Sequence, residues 1–170
     1  MLNRLLQPTR LLAITKEERE FHRKTAVKCF NRAWDYLLMA SRSAEDSKAM
    51  LHLAHASRYH WGIVGTPRNL AVGDWQLARV YSALGNSELS PEFALSSLKG
   101  CESEHWDDLV PSAMEALARA YATGGDFRNA EKLLKMARKK LDRLVIEKED
   151  REIYASQIRE TESFLKRKAT

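Results

Sequence analysis

The chain has 170 residues, 44% hydrophobic and 30% charged. That is enough apolar material for one domain whose core needs no disulfide or metal staple, which excludes disorder and collagen-like structure. With 7 Gly and 4 Pro there are few breakpoints, so long helices are expected rather than many short strands. The formal charge of +5 permits contact with phosphate or acidic peptides without demanding either.

The charge is unevenly placed. Residues 1–48 carry 10 basic and 6 acidic groups, residues 49–125 carry 5 and 8, and residues 126–170 carry 13 and 9, so two basic ends flank a mildly acidic middle. Cys29 and Cys101 sit among apolar residues at no metal or redox spacing, which reads as free thiols in a reducing compartment. Leucines crowd residues 1–14, but Arg4, Pro8 and Arg10 interrupt them before a secretory apolar stretch accumulates. No run approaches the roughly 18 apolar residues that span a bilayer. A cytoplasmic protein with no membrane partner is expected, residues 1–15 forming a strap on the core or a dimer contact.

Thr15 and Glu18 have capping-box spacing and open a long first helix, with apolar residues at Val27, Phe30, Trp34, Leu37 and Leu38. Ser43 and Asp46 open a second, carrying Met50, Leu51, Leu53, Ala54 and Ser57 until Gly65 and Pro67 end it. Pro67 begins a third helix that runs to Gly85. Ser90 as cap with Pro91 at the first helical position predicts a fourth, ending near Cys101. Pro111 opens a fifth that stops at Gly124 and Gly125, with Asp107 or Asp108 as its cap. Asp126 caps a sixth through Ala130, Leu134, Ala137 and Leu141, and a seventh starts near Glu149 with Ile153, Tyr154, Ile158, Phe164 and Leu165 on one side. Seven helices and no strand are expected.

Shifted by 40 residues, the chain matches itself. Leu77, Ala78, Tyr81 and Gly85 align with Leu117, Ala118, Tyr121 and Gly125, and Trp34, Leu37 and Leu38 fall at the same spacing one unit earlier. A leucine beside a small residue, with an aromatic three positions on, lets a second helix approach and meet a ring. The glycine that follows permits a left-handed helix stop. On these residues the chain resembles the tetratricopeptide repeat family. The unit with Leu117, Ala118, Tyr121, Gly125, Asp126, Phe127, Ala130, Leu134 and Ala137 fits that pattern best, the preceding one needs four extra turn residues, and the first keeps only Trp34, Leu37, Ala49 and Leu53. The resemblance implies an all-α, right-handed superhelix in a single domain, 1–170. Its hairpins would span 16–65, 67–104 and 108–145, with a capping helix over 149–167.

In that family one face of each first helix lines a concave groove. The resemblance therefore implies a partner-binding groove carrying Asp35, Arg42, Trp75, Arg79, Glu115 and Arg119. Trp75 and Arg79, four apart, can stack and present a flat guanidinium to a carboxylate. The ordinary alternative is that Trp75 packs on a neighbouring helix and the arginines pair locally. The partner expected is a protein or peptide of acidic character.

Three other clusters offer rival functions. His52, His55 and His60 suggest a metal or small-molecule sensor, although helical spacing does not let the three converge, and no metal or cofactor is expected. Arg128, Lys132, Lys135, Lys139 and Arg143 form a basic stripe that can ride a phosphate backbone, making nucleic acid the alternative partner; a solvated outer face is the ordinary explanation of such a stripe. The acidic loop of Glu102, Glu104, His105, Asp107 and Asp108 superficially suggests acid-base chemistry. No nucleophile elbow, phosphate-cradling glycine loop, zincin helix or paired-cysteine metal motif occurs, so no catalytic residue is assigned and a non-enzymatic scaffold is expected.

Overall fold

A computed structural model describes residues 14–169; the expected strap lies almost wholly outside them. The described chain is all-helical: α1 (Lys16–Leu37), α2 (Ala44–Val64), α3 (Pro67–Ala83), α4 (Leu89–Ser103), α5 (Val110–Thr123), α6 (Phe127–Arg143) and α7 (Lys148–Ala169). None of these helices is long and apolar enough to cross a membrane. Consecutive pairs α1/α2, α3/α4 and α5/α6 pack most extensively. The odd-numbered helices also touch in sequence, α1 to α3, α3 to α5 and α5 to α7, and so form an inner layer, with α2, α4 and α6 behind it.

Local chemistry explains the boundaries. Thr15, Ser43 and Thr66 each cap a helix, their side-chain oxygens accepting from the backbone N–H three residues on, while Glu18, Asp46 and Asn69 accept in return from the cap's own N–H. At the end of α3, the Gly85 N–H donates to the Ser82 carbonyl (3.1 Å) and the Asn86 N–H to that of Tyr81 (2.9 Å); at the end of α5, Gly125 and Asp126 repeat both bonds onto Ala122 and Tyr121. The two glycines sit at φ +74° and +83°, as this helix stop requires.

Three expectations are corrected. Ser90 lies inside the first turn of α4, its buried hydroxyl donating to the Ala78 carbonyl at 2.9 Å. Glu88 takes the cap position without a side-chain bond of its own, and the Asn86 side-chain oxygen accepts from the N–H groups of Glu88 and Leu89. Asp107 and Asp108 do not cap α5: Leu109 takes that position without a side-chain bond, and Asp108 pairs with Arg68, whose guanidinium also lies over Trp106. In α1 the buried residues are Ala26 and Ala33, not Val27 and Leu38, both exposed. Small side chains let α2 come close enough for the Ser57 hydroxyl to donate to the Ala26 carbonyl at 2.9 Å.

The core is continuous from α3 to α7 through Ala78, Ala94, Leu98, Met114, Leu117, Ala118, Leu134 and Ile158, while Ala33, Met50, Ala54, Leu77, Val80 and Tyr81 pack together beside α1 and α2. Ala78 and Ala118 are both fully buried. Their aromatic neighbours differ: Tyr81 stacks on Phe93 and bonds His55 at 2.8 Å, whereas Tyr121 is half-buried against the larger cluster.

Glycine substitutions separate turn from helix. Gly125→Ala should cost about 1 kcal/mol, because the left-handed conformation penalises a Cβ. Gly62→Ala, in the exposed last turn of α2 where a Cβ would meet nothing closer than 3.9 Å, should stabilise by about 0.5–1 kcal/mol. Thermal unfolding of both variants checks the opposite signs.

Candidate functional site

The inner layer gathers charge where it is normally excluded. Trp75 and Arg79 share a face of α3, Glu115 and Arg119 a face of α5, and Glu160 and Phe164 a face of α7, each pair one helical turn apart. Glu115 is fully buried and Arg79 only 5% exposed. An isolated charge at either position would carry a desolvation penalty of several kcal/mol, so the group must be balanced locally.

It is balanced by four side chains from three helices. Arg79 donates from Nη1 to Glu115 Oε2 at 2.7 Å and from Nη2 to Glu160 Oε2 at 2.8 Å. Arg119 approaches Glu115 Oε1 through Nε at 3.3 Å and Glu160 Oε1 through Nη2 at 2.9 Å. The Thr161 hydroxyl, itself buried, donates to Glu115 Oε1 and accepts from Arg119 Nε at 3.0 Å. Two cations and two anions leave no net charge. Aromatic rings flank both guanidinium groups: the Arg79 carbon lies 5.5 Å from the Trp34 ring and 6.0 Å from that of Trp75, and the Arg119 carbon 5.6 Å from Phe164.

Burial works against the charge on Arg79, but Glu115 and Glu160 outweigh it and raise its affinity for the proton above the ordinary value. For Glu160, desolvation pushes the carboxyl up, and Arg79 and Arg119 more than reverse it, holding the group below the usual carboxylate range.

Of the residues expected to meet a partner, Trp75, Arg79, Glu115 and Arg119 come together, but the arginines are committed to Glu115 and Glu160. Asp35 is exposed and pairs with Arg32 at 3.5 Å, away from the network. Arg42 donates to the carbonyls of Tyr36 and Leu37 at 3.0 and 3.2 Å, closing the end of α1. The sequence reading did not anticipate Glu160 or Thr161; nothing in the local pattern of α7 links them to arginines 81 and 42 residues away.

The network floors one side of a groove of about 810 Å³ between the end of α1 and the first half of α7, lined by Trp34, Leu38, Arg79, Glu152, Ile153 and Glu160 among others. Leu38 is 78% and Ile153 53% exposed, a large apolar presentation for isolated surface residues. Of the acidic groups on its walls, Glu160 is paired with Arg79 and Arg119 and Glu152 with Arg159, which leaves Glu149 against Lys148, so the groove is apolar with no clear excess of either charge.

The histidines part company. His55 bonds Tyr81, and His60 bonds His22 of α1 through their Nδ1 atoms at 2.6 Å, while His52 is exposed. Among the described residues, no three His, Cys, Asp or Glu side chains are grouped to hold a metal ion. The basic residues Arg128, Lys132, Lys135 and Lys139 line a shallow, open face of α6. Both cysteines are free, Cys101 buried and Cys29 half-buried. Comparison with known proteins finds no matching family model, no matching curated protein and no matching solved structure.

The lowered Glu160 proton affinity has a pH signature. Its folded value lies below the unfolded value near 4.5, so its contribution is complete above that pH and disappears as pH falls through the folded value. Glu160→Gln should therefore be less stable than wild type at pH 7, with the gap narrowing on acidification below about pH 4.5. Urea titrations across pH 3–7 measure this; a constant gap would contradict the ion-pair role.

Proposed function

We propose that the chain is a non-enzymatic helical scaffold that holds a segment of a protein partner in the groove between α1 and α7. Supporting a tetratricopeptide-like, right-handed arrangement of three hairpins and a cap are the paired glycine stops after α3 and α5 and the inner layer of odd-numbered helices. The groove carries the functional reading: Trp34, Leu38 and Ile153 surround a floor that the Arg79, Glu115, Arg119 and Glu160 network stiffens. Apolar and aromatic side chains in a defined recess are the usual anchors of an interface.

Charge does not favour the acidic peptide expected from the arginine-bearing face. Arg79 and Arg119 are already neutralised by Glu115 and Glu160, and Glu152 on the wall is paired with Arg159. A complementary segment supplies one or two apolar anchors that meet Trp34, Leu38 and Ile153. The acids and bases of this network are paired with one another, which supports binding over catalysis.

Leu38→Glu combined with Ile153→Glu should remove the anchors without touching the core. Affinity purification of wild-type and doubly substituted protein, followed by direct titration of any partner recovered, should show at least about a tenfold loss, the scale of an interface anchor. Equal recovery with unchanged helix content would place the binding surface elsewhere.

A further inference from the structure

A second concave face, of about 840 Å³, lies at the other end of α1 from the groove, bordered by the first half of α1, the end of α2 and the start of α3. Lys16, Arg19 and Arg23 follow one another at intervals of about one turn and stand in a row, with Lys24 and Lys28 in a second row beside it. All five are exposed. Glu20 is the one acid among the described residues that line this face; it pairs with Lys24 at 2.7 Å and also feels the charge of Arg23. Glu18 is turned away to the Thr15 cap. Five cations against one anion leave a surplus of four along roughly 18 Å of helix. Val27, 44% exposed, and the half-buried Trp61 and Val64 give the same face an apolar component.

Such a charge suits several polyanions, and the sequence that leads into α1 separates them. Residues 1–13 include Met1, Leu2, Leu5, Leu6, Leu11 and Leu12, their only charged side chains are Arg4 and Arg10, and the first acid of the chain is Glu17. A nucleic-acid backbone rewards the cations but offers nothing to six large aliphatic side chains. An anionic lipid surface takes both, the cations against its headgroups and the aliphatic side chains at the boundary with the acyl region. None of the described helices is long and apolar enough to cross a bilayer, and residues 1–13 fall short of the roughly 20 apolar residues that span one.

We propose that residues 1–13 and the basic face at the start of α1 dock the protein on an anionic lipid surface. Lying on a membrane is a different association from crossing one, so the expected lack of a membrane partner, which rested on the lack of a spanning run, gives way at this face. Two weak signals act together: a polybasic face or a short apolar segment alone binds marginally, and the pair holds. The groove at Leu38 and Ile153 lies at the far end of α1, so this docking does not depend on the partner reading.

Co-sedimentation of the full chain with vesicles tests the proposal. At about 0.1 M salt the protein should pellet with phosphatidylcholine vesicles that contain phosphatidylserine, stay in solution with phosphatidylcholine alone, and be released as salt is raised. Arg19→Gln with Arg23→Gln should lower the partition coefficient at least about tenfold, since each charge near an anionic surface is worth about fivefold. Leu5→Ser with Leu6→Ser should lower it by a similar factor, about tenfold or more. Lys132→Gln with Lys135→Gln removes the same charge from α6, which does not touch α1, and should leave it unchanged. Circular dichroism checks that each variant keeps its helices. Binding indifferent to phosphatidylserine, or an equal loss in the α6 variant, would overturn the proposal. So would a loss on arginine substitution with none on leucine substitution, together with displacement by an oligothymidylate, which would reassign the face to nucleic acid.

Discussion

The architecture depends on keeping the Glu115 carboxylate, fully buried in α5, next to two guanidinium groups. Removing any one partner strands a charge in a low-dielectric interior, a loss of about 3–5 kcal/mol. Satisfying Glu115 fixes the relative positions of α3, α5 and α7: Arg79 comes from the first, Arg119 from its own helix, and Glu160 with Thr161 from the last. Hydrophobic packing of Ile158 and Leu165 attaches α7, but it does not by itself select one register. The ion network does, because Glu160 must reach two arginines at once.

The same balance determines what the groove offers. Arginine side chains on an inner helical face suggest a receptor for carboxylates. Here the protein supplies those carboxylates itself, and the outward face of the network presents Glu160, the Trp34 ring and the apolar rim. A site that looks basic in the sequence is neutral at its floor.

Element boundaries were legible because their chemistry is local: Thr15, Ser43 and Asp126 cap helices within three residues of themselves, Pro67 sits at the first position of α3, and Gly85 and Gly125 stop helices with their own backbone. The misread caps at Ser90 and Asp108 arose where a longer-range contact took the side chain, Ser82 and Ala78 in one case and Arg68 in the other. The face carrying Trp75, Arg79, Glu115 and Arg119 was visible from the one-turn spacing of its residues. Their mutual pairing was not, since it depends on Glu160, and Asp35 and Arg42 shared the spacing without sharing the place. The histidines show the same limit: His60 finds His22 across a hairpin rather than the histidines near it in sequence.

A double-mutant cycle on Arg79 and Glu115 tests the organising role of the buried network most directly. Arg79→Met and Glu115→Leu each leave an unbalanced charge and should cost about 3–5 kcal/mol in urea unfolding, whereas the double variant, which retains Arg119 opposite Glu160, should lose less than either single variant. Small single losses that simply add in the double variant would contradict the account.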